Sequence, residues 1–342
     1  MIARQMENLE YARICSELHH LCGCRLDNIY QTGDKTFRLR IGKADIVCTL
    51  GLRLHETKYI PKTSPQPSNL VMLLRSRLRG RKVESIQQIR NDRIVEFTIS
   101  GKEGNYHLIL EMFGQGNLIL IDENQTIIRA FEQRIWNERE LLPGRKYTLP
   151  PTTHVSPNPT LEELKMEVEK KYAIANFSKI PLGTLYIREV LARSGIEERE
   201  DASTIDESRL MRLLQNISLI RAEDDPAIYL DTQNTPIQFS AAKLSILEGK
   251  FERRETETLS EAADEYYIAI LQEKDKKEEE LEEQIKKLSR RIEVQEEEVR
   301  KLEKEIAKNS AFAKAIYENF DSAEKKIEEA RARGEKKAYL EI

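Results

Sequence analysis

The last quarter of the chain carries a heptad pattern that only a long α-helix can satisfy. Apolar residues occupy seven of eight successive a and d positions, spaced by four and three, and Gln295 is the polar exception. The seven are Leu281, Ile285, Leu288, Ile292, Val299, Leu302 and Ile306. One helix cannot bury such a stripe, so the sequence predicts a coiled-coil arm that needs a partner helix. The rest of the chain offers no obvious partner, which points to a homodimer through the arm or to a missing segment.

The length and the uneven composition indicate two or three domains. At 342 residues the chain exceeds the roughly 150 residues of a typical domain. Apolar, β-branched runs concentrate in the first 150 residues, whereas Glu, Lys and Arg dominate from Leu271 onward. The formal net charge of −4 therefore averages over segments of different character and says little about partners.

Short alternating runs separated by turn residues predict an antiparallel α+β domain at the start of the chain. Helical periodicity covers residues 8–21 and 68–78, ended by Gly23 and Gly80. Prolines place a loop at residues 61–67, and the domain is expected to end near a loop at residues 143–159. Strands are predicted at residues 25–30, 36–41, 44–50, 83–88, 94–99, 106–112, 117–122 and 126–130.

A helical region is predicted for residues 160–220, and the Pro181-Leu182-Gly183 turn inside it fits a helix-hairpin-helix unit. In such a unit the glycine lets backbone N–H groups approach a phosphate. A plain helix–turn–helix with a structural glycine fits these residues equally well. Two extended runs follow at residues 227–231 and 237–240. We expect them to re-enter the first sheet and not to form a new domain.

The densest basic segment lies at the end of the second predicted helix, with five cations within eight residues and no acid among them. A solvated helix end, where one or two cations complement the dipole, is the simpler interpretation. Five cations exceed that need, so we favour contacts to nucleic-acid phosphates, which weaken steeply with salt. The five are Arg75, Arg77, Arg79, Arg81 and Lys82.

Two further motifs stand where predicted strands begin. Asp92 and Arg93 would offer one acceptor and one planar fork of donors to a base edge or a sugar–phosphate. From the residues alone, a turn aspartate beside a surface arginine is the more common arrangement. The run Gly114-Gln115-Gly116-Asn117 precedes a strand and not a helix, which favours a β-hairpin turn over a nucleotide-binding loop.

No catalytic or metal-binding set emerges from the sequence. It contains no Gly-x-Ser-x-Gly elbow, no His-Glu-x-x-His motif and no Walker sequence. Cys22 and Cys24 are closer together than zinc sites favour, and no second ligand pair follows. Cys15 and Cys48 are expected to be small core hydrophobes. We expect no metal, no cofactor and no enzymatic activity. Without a signal segment or a membrane span, a cytoplasmic protein is expected.

Taken together, these segments resemble the NFACT family of ribosome quality-control proteins, which includes NEMF and RqcH and is also known as fibronectin-binding protein A. Leu9-Glu10-Tyr11 and residues 23–30 look like the family's first helix and strand. Residues 65–81 look like its proline loop and basic helix, and residues 91–94 look like its Asp-Arg signature. Residues 111–117 look like its glycine turn. Pro181-Leu182-Gly183 and the heptads fit its helix-hairpin-helix insertion and its coiled-coil arm.

The resemblance implies a fold. It implies an antiparallel NFACT-N domain at residues 1–155, similar to the N-terminal fold of formamidopyrimidine-DNA glycosylases. A helix-hairpin-helix domain would follow at residues 156–222, a return segment of NFACT-N at 223–268 and a truncated coiled-coil domain at 269–342. The family's returning helix and RNA-binding domain are missing, so we expect a fragment.

The resemblance also implies a function. The family binds the large ribosomal subunit and its rRNA, recognises tRNA on stalled peptidyl-tRNA complexes and supports template-free C-terminal tailing of the nascent chain. Its signature assigns tRNA recognition to Asp92 and Arg93, which reverses the preference from the residues alone, and we expect this couple beside the cationic helix. The resemblance also makes Glu10 a candidate for tRNA contact. The family usually has Asp at this position, and Glu10 keeps the charge but moves it by about one methylene.

Three other functions stay open at this point. A DNA-binding or glycosylase-like protein is suggested by the fold and the hairpin motif. Those glycosylases use a proline amine directly after the initiator Met, however, and this chain has Ile2. A fibronectin-binding adhesin would require export. A coiled-coil scaffold would show only a shallow salt dependence of RNA affinity.

Overall fold

A computed structural model describes residues 3–60, 66–136, 139–151, 155–166 and 171–337. Most of the predicted proline loop at residues 61–67 lies outside these residues, as does the stretch 167–170 of the predicted helical region. The chain divides into two compact units, Met1–Gln272 and Glu273–Ile342, which are described separately.

Two antiparallel sheets form the start of the first unit. The four-stranded sheet has the order β1 (Leu26–Gln31), β2 (Thr36–Ile41), β3 (Ala44–Thr49), β4 (Arg53–Glu56). The five-stranded sheet has the order β5 (Val83–Gln88), β6 (Ile94–Ile99), β7 (Tyr106–Glu111), β8 (Asn117–Ile121), β9 (Ile127–Ala130). Each strand pairs with its neighbour in the sequence, as short turns between alternating runs require. The predicted antiparallel α+β architecture is confirmed.

The two faces of the five-stranded sheet contact different apolar clusters. Val95 and Phe97 of β6 belong to the main core, which also holds Leu39 of β2. Ile94 points to the opposite face, together with Ile109 of β7, where a smaller cluster forms. This alternation follows from the two-residue period of a strand. Cys15 and Cys48 are buried free thiols, as predicted.

Two helices pack against these sheets. Helix α1 (Asn8–Glu17) begins at a capping box formed by Glu7 and Glu10 and is extended by a 3-10 turn over Leu18–Leu21. Helix α2 (Asn69–Leu78) begins where the Ser68 side chain accepts a hydrogen bond from the Val71 N–H. A short ribbon, β10 (Ile135–Trp136) with β11 (Arg139–Glu140), follows the second sheet and was not predicted.

The helical insertion contains α3 (Leu161–Met166), α4 (Ala173–Phe177), α5 (Thr184–Arg193) and α6 (Glu207–Ala222). After it, β12 (Ala227–Leu230), β13 (Pro236–Ser240) and β14 (Glu252–Glu255) form a separate sheet in the order β13-β12-β14. The prediction that this segment re-enters the first sheet is therefore wrong. The charged strand β14 was not predicted. It pairs with β12, so the backbone hydrogen bonds of β12 are made within this sheet.

Helix α7 (Leu259–Glu318) starts in the first unit, where Tyr266 and Tyr267 are buried. Within the second unit α7 continues without a break through Asn309 and Ser310. Helix α8 (Phe320–Ala332) follows, and Gly334, with φ of 71°, lies just after its end. The seven apolar heptad residues are 52 to 64% exposed, so no described residue of this unit covers the stripe. The coiled coil stays a prediction. Within the described residues, no helix combines the length and apolar character that crossing a bilayer requires.

Candidate nucleic-acid interface

The turn between β5 and β6 has a strained backbone. Arg90 and Asn91 both have φ of 53°, and the Asp92 N–H donates to the Ile89 carbonyl over 2.9 Å, as in a type I′ turn. Asparagine tolerates this left-handed conformation, but for arginine it costs about 1–2 kcal/mol. Such strain persists only where the surroundings impose it, and it concentrates at functional sites.

Side-chain amides from α1 and β5 impose this conformation. The Asn8 amide donates to the Asn91 carbonyl over 2.9 Å. The Gln88 amide donates to the carbonyls of Asn8 and Asp92, each over 2.8 Å. These bonds fix the turn to the start of α1. The sequence reasoning did not identify Asn8 or Gln88, because their partners are main-chain atoms that carry no signature.

Asp92 and Arg93 lie at the surface of this turn, each half-buried. An Asp92 carboxylate oxygen accepts the Arg93 N–H over 2.7 Å, which orients the carboxylate. The Arg93 guanidinium donates to the Gln5 side-chain oxygen over 3.2 Å. Their side chains are thus held in defined positions and keep exposed surface, which a contact to a large ligand requires.

Glu10 is fully buried, so the expectation that it contacts tRNA does not fit the structure. Its carboxylate pairs with the Arg4 guanidinium at 2.5 Å and accepts a hydrogen bond from the Tyr186 hydroxyl over 2.9 Å. It also accepts the Glu7 N–H over 2.8 Å, which closes the capping box. Glu10 therefore positions the start of α1 and touches nothing outside the protein.

The N-terminus of α5 is occupied by a carboxylate of the chain itself. The Leu185 N–H donates to Glu7 over 3.0 Å. At Gly183, where φ is 102°, a Cβ would stand 2.1 Å from a Glu7 carboxylate oxygen. Burial raises the pKa of Glu7 to about 7, and the Glu10 carboxylate adds to that rise. The Glu7 carboxylate therefore lies where a phosphate would approach Gly183 in a helix-hairpin-helix unit, and Pro181 before it is buried. The helix-hairpin-helix interpretation stays a prediction.

The cationic segment, defined as Arg75, Arg77, Arg79, Arg81 and Lys82, covers the end of α2 and the entry to β5. The Arg75 and Arg79 guanidiniums donate to the Ile29 and Asp27 carbonyls of β1, over 2.7 and 3.2 Å. Lys82 pairs with Glu84 at 3.3 Å. Within the described ranges, the four arginines of the segment make no ion pair. Their charges are therefore available to an anionic partner.

A further arginine joins this surface. The Arg25 guanidinium donates to the Gly80 carbonyl over 2.6 Å, and its backbone pairs with that of Lys82. Sequence reasoning missed Arg25 because it is 55 residues away from Gly80 along the chain. Arg25 enlarges the basic surface on the β1 side.

The cationic segment and the Asp92–Arg93 couple lie at opposite ends of β5. Lys82 directly precedes this six-residue strand, and the turn follows it. At about 3.3 Å per residue, the two groups are roughly 20 Å apart. The length of β5 therefore separates the couple from the cationic segment, and a role for both in RNA binding stays a prediction.

The glycine turn is the predicted β-hairpin turn between β7 and β8. A Cβ at Gly116 would stand 2.2 Å from the Gly51 nitrogen, so only glycine fits this close approach. Gly114, the other glycine, has φ of 57°. The Asn117 side chain is buried and bonds both backbone groups of Glu132. Gly116 and Asn117 thus join β-hairpins to each other, whereas Gly114 and Gln115 are exposed.

Comparisons with known proteins agree on one family. A sequence model described as NFACT N-terminal and middle domains matches residues 8–337. The archaeal Rqc2 homolog aRqcH of Methanocaldococcus jannaschii is 26% identical over 370 aligned residues, covering 99% of this chain and 54% of that protein. The human ribosome quality control complex subunit NEMF is 28% identical, covering 64% of this chain and 22% of that protein. The chain therefore spans about half or less of these relatives.

Solved structures share the fold. The fibrinogen binding protein from Staphylococcus aureus has a TM-score of 0.65 at 22% identity, covering 76% of this chain and 98% of that chain. The N-terminal part of the fibronectin/fibrinogen-binding protein from Streptococcus suis has a TM-score of 0.62 at 24% identity, covering 77% and 99%. At this identity the likeness concerns the fold alone.

Proposed function

The chain belongs to the NFACT family, and we propose that it is a ribosome quality-control factor that recognises tRNA on a large ribosomal subunit carrying stalled peptidyl-tRNA. The names of its archaeal and human relatives support the quality-control role. Support of template-free C-terminal tailing belongs to the same proposal. In it the chain binds and recruits, and carries out no chemistry of its own.

One observation carries the tRNA part of the proposal: the Asp92–Arg93 couple sits at the surface on a strained turn that three amide hydrogen bonds hold. A strained backbone fixed in this way preorganises its side chains, which lowers the entropic cost of binding. The Asp92 carboxylate can accept from a base or a ribose hydroxyl, and the Arg93 guanidinium can donate in a plane. Glu10 contributes by holding α1.

The cationic segment supplies the second contact, to phosphates. Its four arginines have no carboxylate partner in the described parts of the chain, and Arg77 and Arg79 are exposed. Each phosphate neutralised releases counterions, so affinity falls with salt by a log–log slope of about −0.7 to −0.9 per contact. The cationic segment at this end of β5 attracts RNA without regard to its sequence. The Asp92–Arg93 couple at the other end distinguishes one RNA sequence from another.

The exposed heptad stripe of the second unit supports a homodimer through the arm, which we include in the proposal. Charged residues flank the stripe, as in self-associating coiled coils.

Purified Asp92→Ala/Arg93→Ala protein tests the tRNA contact. Losing two charge-assisted hydrogen bonds should weaken tRNA binding about 100-fold. The matched control is Glu197→Ala/Arg199→Ala, which removes one acid and one base from exposed positions of the helical insertion. Unchanged tRNA affinity in a folded Asp92→Ala/Arg93→Ala protein would remove the couple from the interface. Co-sedimentation with large subunits, with and without peptidyl-tRNA, tests the ribosomal part.

A further inference from the structure

A cleft of about 720 Å³ opens on the face of the five-stranded sheet that points away from the main core. Ile89 and Arg90 of the β5–β6 turn form one of its borders, next to Asp92 and Arg93. The strained turn therefore lies between the Asp92–Arg93 couple and this cleft. None of the cleft residues was singled out as a site from the sequence.

Apolar side chains of neighbouring strands form the floor of the cleft. Ile109 and Ile121 project from neighbouring strands β7 and β8, and the Tyr147 side chain lies beside them. Pleated strands present such side chains as a level surface. A planar group of low polarity can lie on this floor and exclude water from it.

A carboxylate and an imidazole lie beside Ile109 on the same face of the sheet. The Glu96 carboxylate and the His107 Nδ1 are 2.8 Å apart, and the Thr98 hydroxyl also donates to Glu96. The hydrogen bond from His107 lowers the pKa of Glu96, and the same bond raises the pKa of His107. The carboxylate is thus an acceptor at neutral pH, and the imidazole keeps its second ring nitrogen as a donor when protonated.

The charges of the cleft nearly cancel. Glu96 and Glu123 bring two negative charges, Arg90 brings one positive charge, and His107 adds a second positive charge when it is protonated. A phosphate would find no net attraction here, in contrast to the cationic segment. A neutral, planar heterocycle with both donors and acceptors matches the cleft better than any anion does.

We propose that this cleft receives an unpaired nucleobase of the bound RNA, cytosine or adenine, whose exocyclic amine donates to Glu96 and whose adjacent ring nitrogen accepts from His107. Cytosine and adenine present a donor next to an acceptor on this edge, and uracil presents the reverse order. Unpaired bases that leave the stack are the usual objects of sequence-specific RNA recognition. The inference rests on the proposed RNA-binding function and extends it to base identity.

NMR of the histidine side chains tests the cleft without tRNA. The probes are CMP, AMP, UMP and ribose 5-phosphate, added to the full chain, with the His107 signal assigned from a His107→Gln variant. CMP and AMP should shift the His107 signal and bind about tenfold more tightly than UMP, because one charge-assisted hydrogen bond separates them. Ribose 5-phosphate should leave the signal in place. Equal shifts by all four probes, or no shift by CMP and AMP, would overturn the proposal.

A matched pair of variants locates the effect. Glu96→Gln should bring CMP and UMP to near parity, whereas Glu103→Gln, which removes one exposed carboxylate elsewhere in the same sheet region, should keep the preference. A preference that survives Glu96→Gln in a folded protein would also overturn the cleft assignment. The tRNA titration of the parent protein is read separately. If the protein binds tRNA but CMP and AMP do not shift the His107 signal, only the cleft proposal is refuted. If the protein does not bind tRNA, the proposed function is refuted.

Discussion

Replacing Gly183 with alanine should lower the free energy of unfolding by about 3 kcal/mol. The backbone there has φ of 102° and ψ of 154°, a region essentially reserved for glycine, and another residue costs about 1–3 kcal/mol. The new Cβ would stand 2.1 Å from a Glu7 oxygen and 2.4 Å from the Glu7 Cβ, so the Glu7 side chain must move. Its hydrogen bond to the Leu185 N–H then breaks, and losing such a helix cap costs about 1 kcal/mol.

Urea unfolding followed by circular dichroism measures this loss, and a double-mutant cycle with Glu7→Ala separates its parts. In the Glu7→Ala background the carboxylate and its cap are already absent, whereas the contact at 2.4 Å with the Cβ of residue 7 remains. Gly183→Ala should then cost about 1 kcal/mol less than in the parent, because the cap is no longer lost, while the backbone strain and the Cβ contact remain. Gly195→Ala is the matched control, since Gly195 has φ of 69° and open space around a Cβ. Gly195→Ala should lower the free energy of unfolding through backbone strain alone, by the same amount with Glu7 and with Ala at position 7.

A different result would restore the phosphate-binding interpretation of the hairpin. If the Gly183→Ala protein has the same free energy of unfolding as the parent but binds tRNA more weakly, Gly183 contacts the ligand. The Glu7 carboxylate then does not occupy the N-terminus of α5 in solution. If the cycle shows no coupling, Glu7 does not seal the α5 N-terminus in solution.

Three further predictions follow from the same contacts. Because the folded pKa of Glu7 is about 7 against an ordinary 4.5, its contribution to stability is fully present below pH 4.5 and is lost as pH rises through 7. Glu7→Gln should remove this dependence and stabilise the protein at pH 8 by up to about 3 kcal/mol in thermal unfolding; equal pH profiles for both proteins would contradict it. Arg77→Ala/Arg79→Ala should reduce the log–log salt slope of tRNA binding by about 1.5, and an unchanged slope would exclude phosphate contacts there. Leu288→Asp should abolish self-association in sedimentation velocity while Lys286→Asp, off the heptad seam, keeps it; a monomeric parent at every concentration would contradict the homodimer.

Most strands of the two sheets could be predicted from the sequence, whereas β4 could not. The bounds of β2 and β6 match their predictions because apolar residues alternate along them, and those of β5 match although its apolar residues Val83 and Ile86 are three positions apart. Strand β4 was missed because Arg53 and His55 lie on it. Both are buried, since Tyr267 of the distant α7 stacks on His55 and also lies under the Arg53 guanidinium. Only the tertiary fold makes such a sequence a strand.

The candidate site shows the same limit. The basic composition of the cationic segment was visible in the sequence because its members are neighbours along the chain. The burial of Glu10 was not, since its partner Tyr186 is 176 residues away. The occupation of the α5 N-terminus by Glu7 was equally hidden, because Gly183 and Glu7 come from different domains of the predicted scheme. Motifs predict which residue types are present, and long-range packing decides which of them keep exposed surface.

The position of β5 between its two functional ends has a consequence for recognition. The strand is hydrogen-bonded to β6 along its length, so the spacing of roughly 20 Å between cationic segment and Asp92–Arg93 couple cannot adjust to the ligand. Groups this far apart with no shared partner contribute almost independently to binding. Attraction by phosphates and discrimination by the couple can therefore change separately. Under the proposed function, an RNA contacts both ends of β5 only when its phosphates and its exposed bases match the fixed length of the strand, so shape would be selected together with sequence.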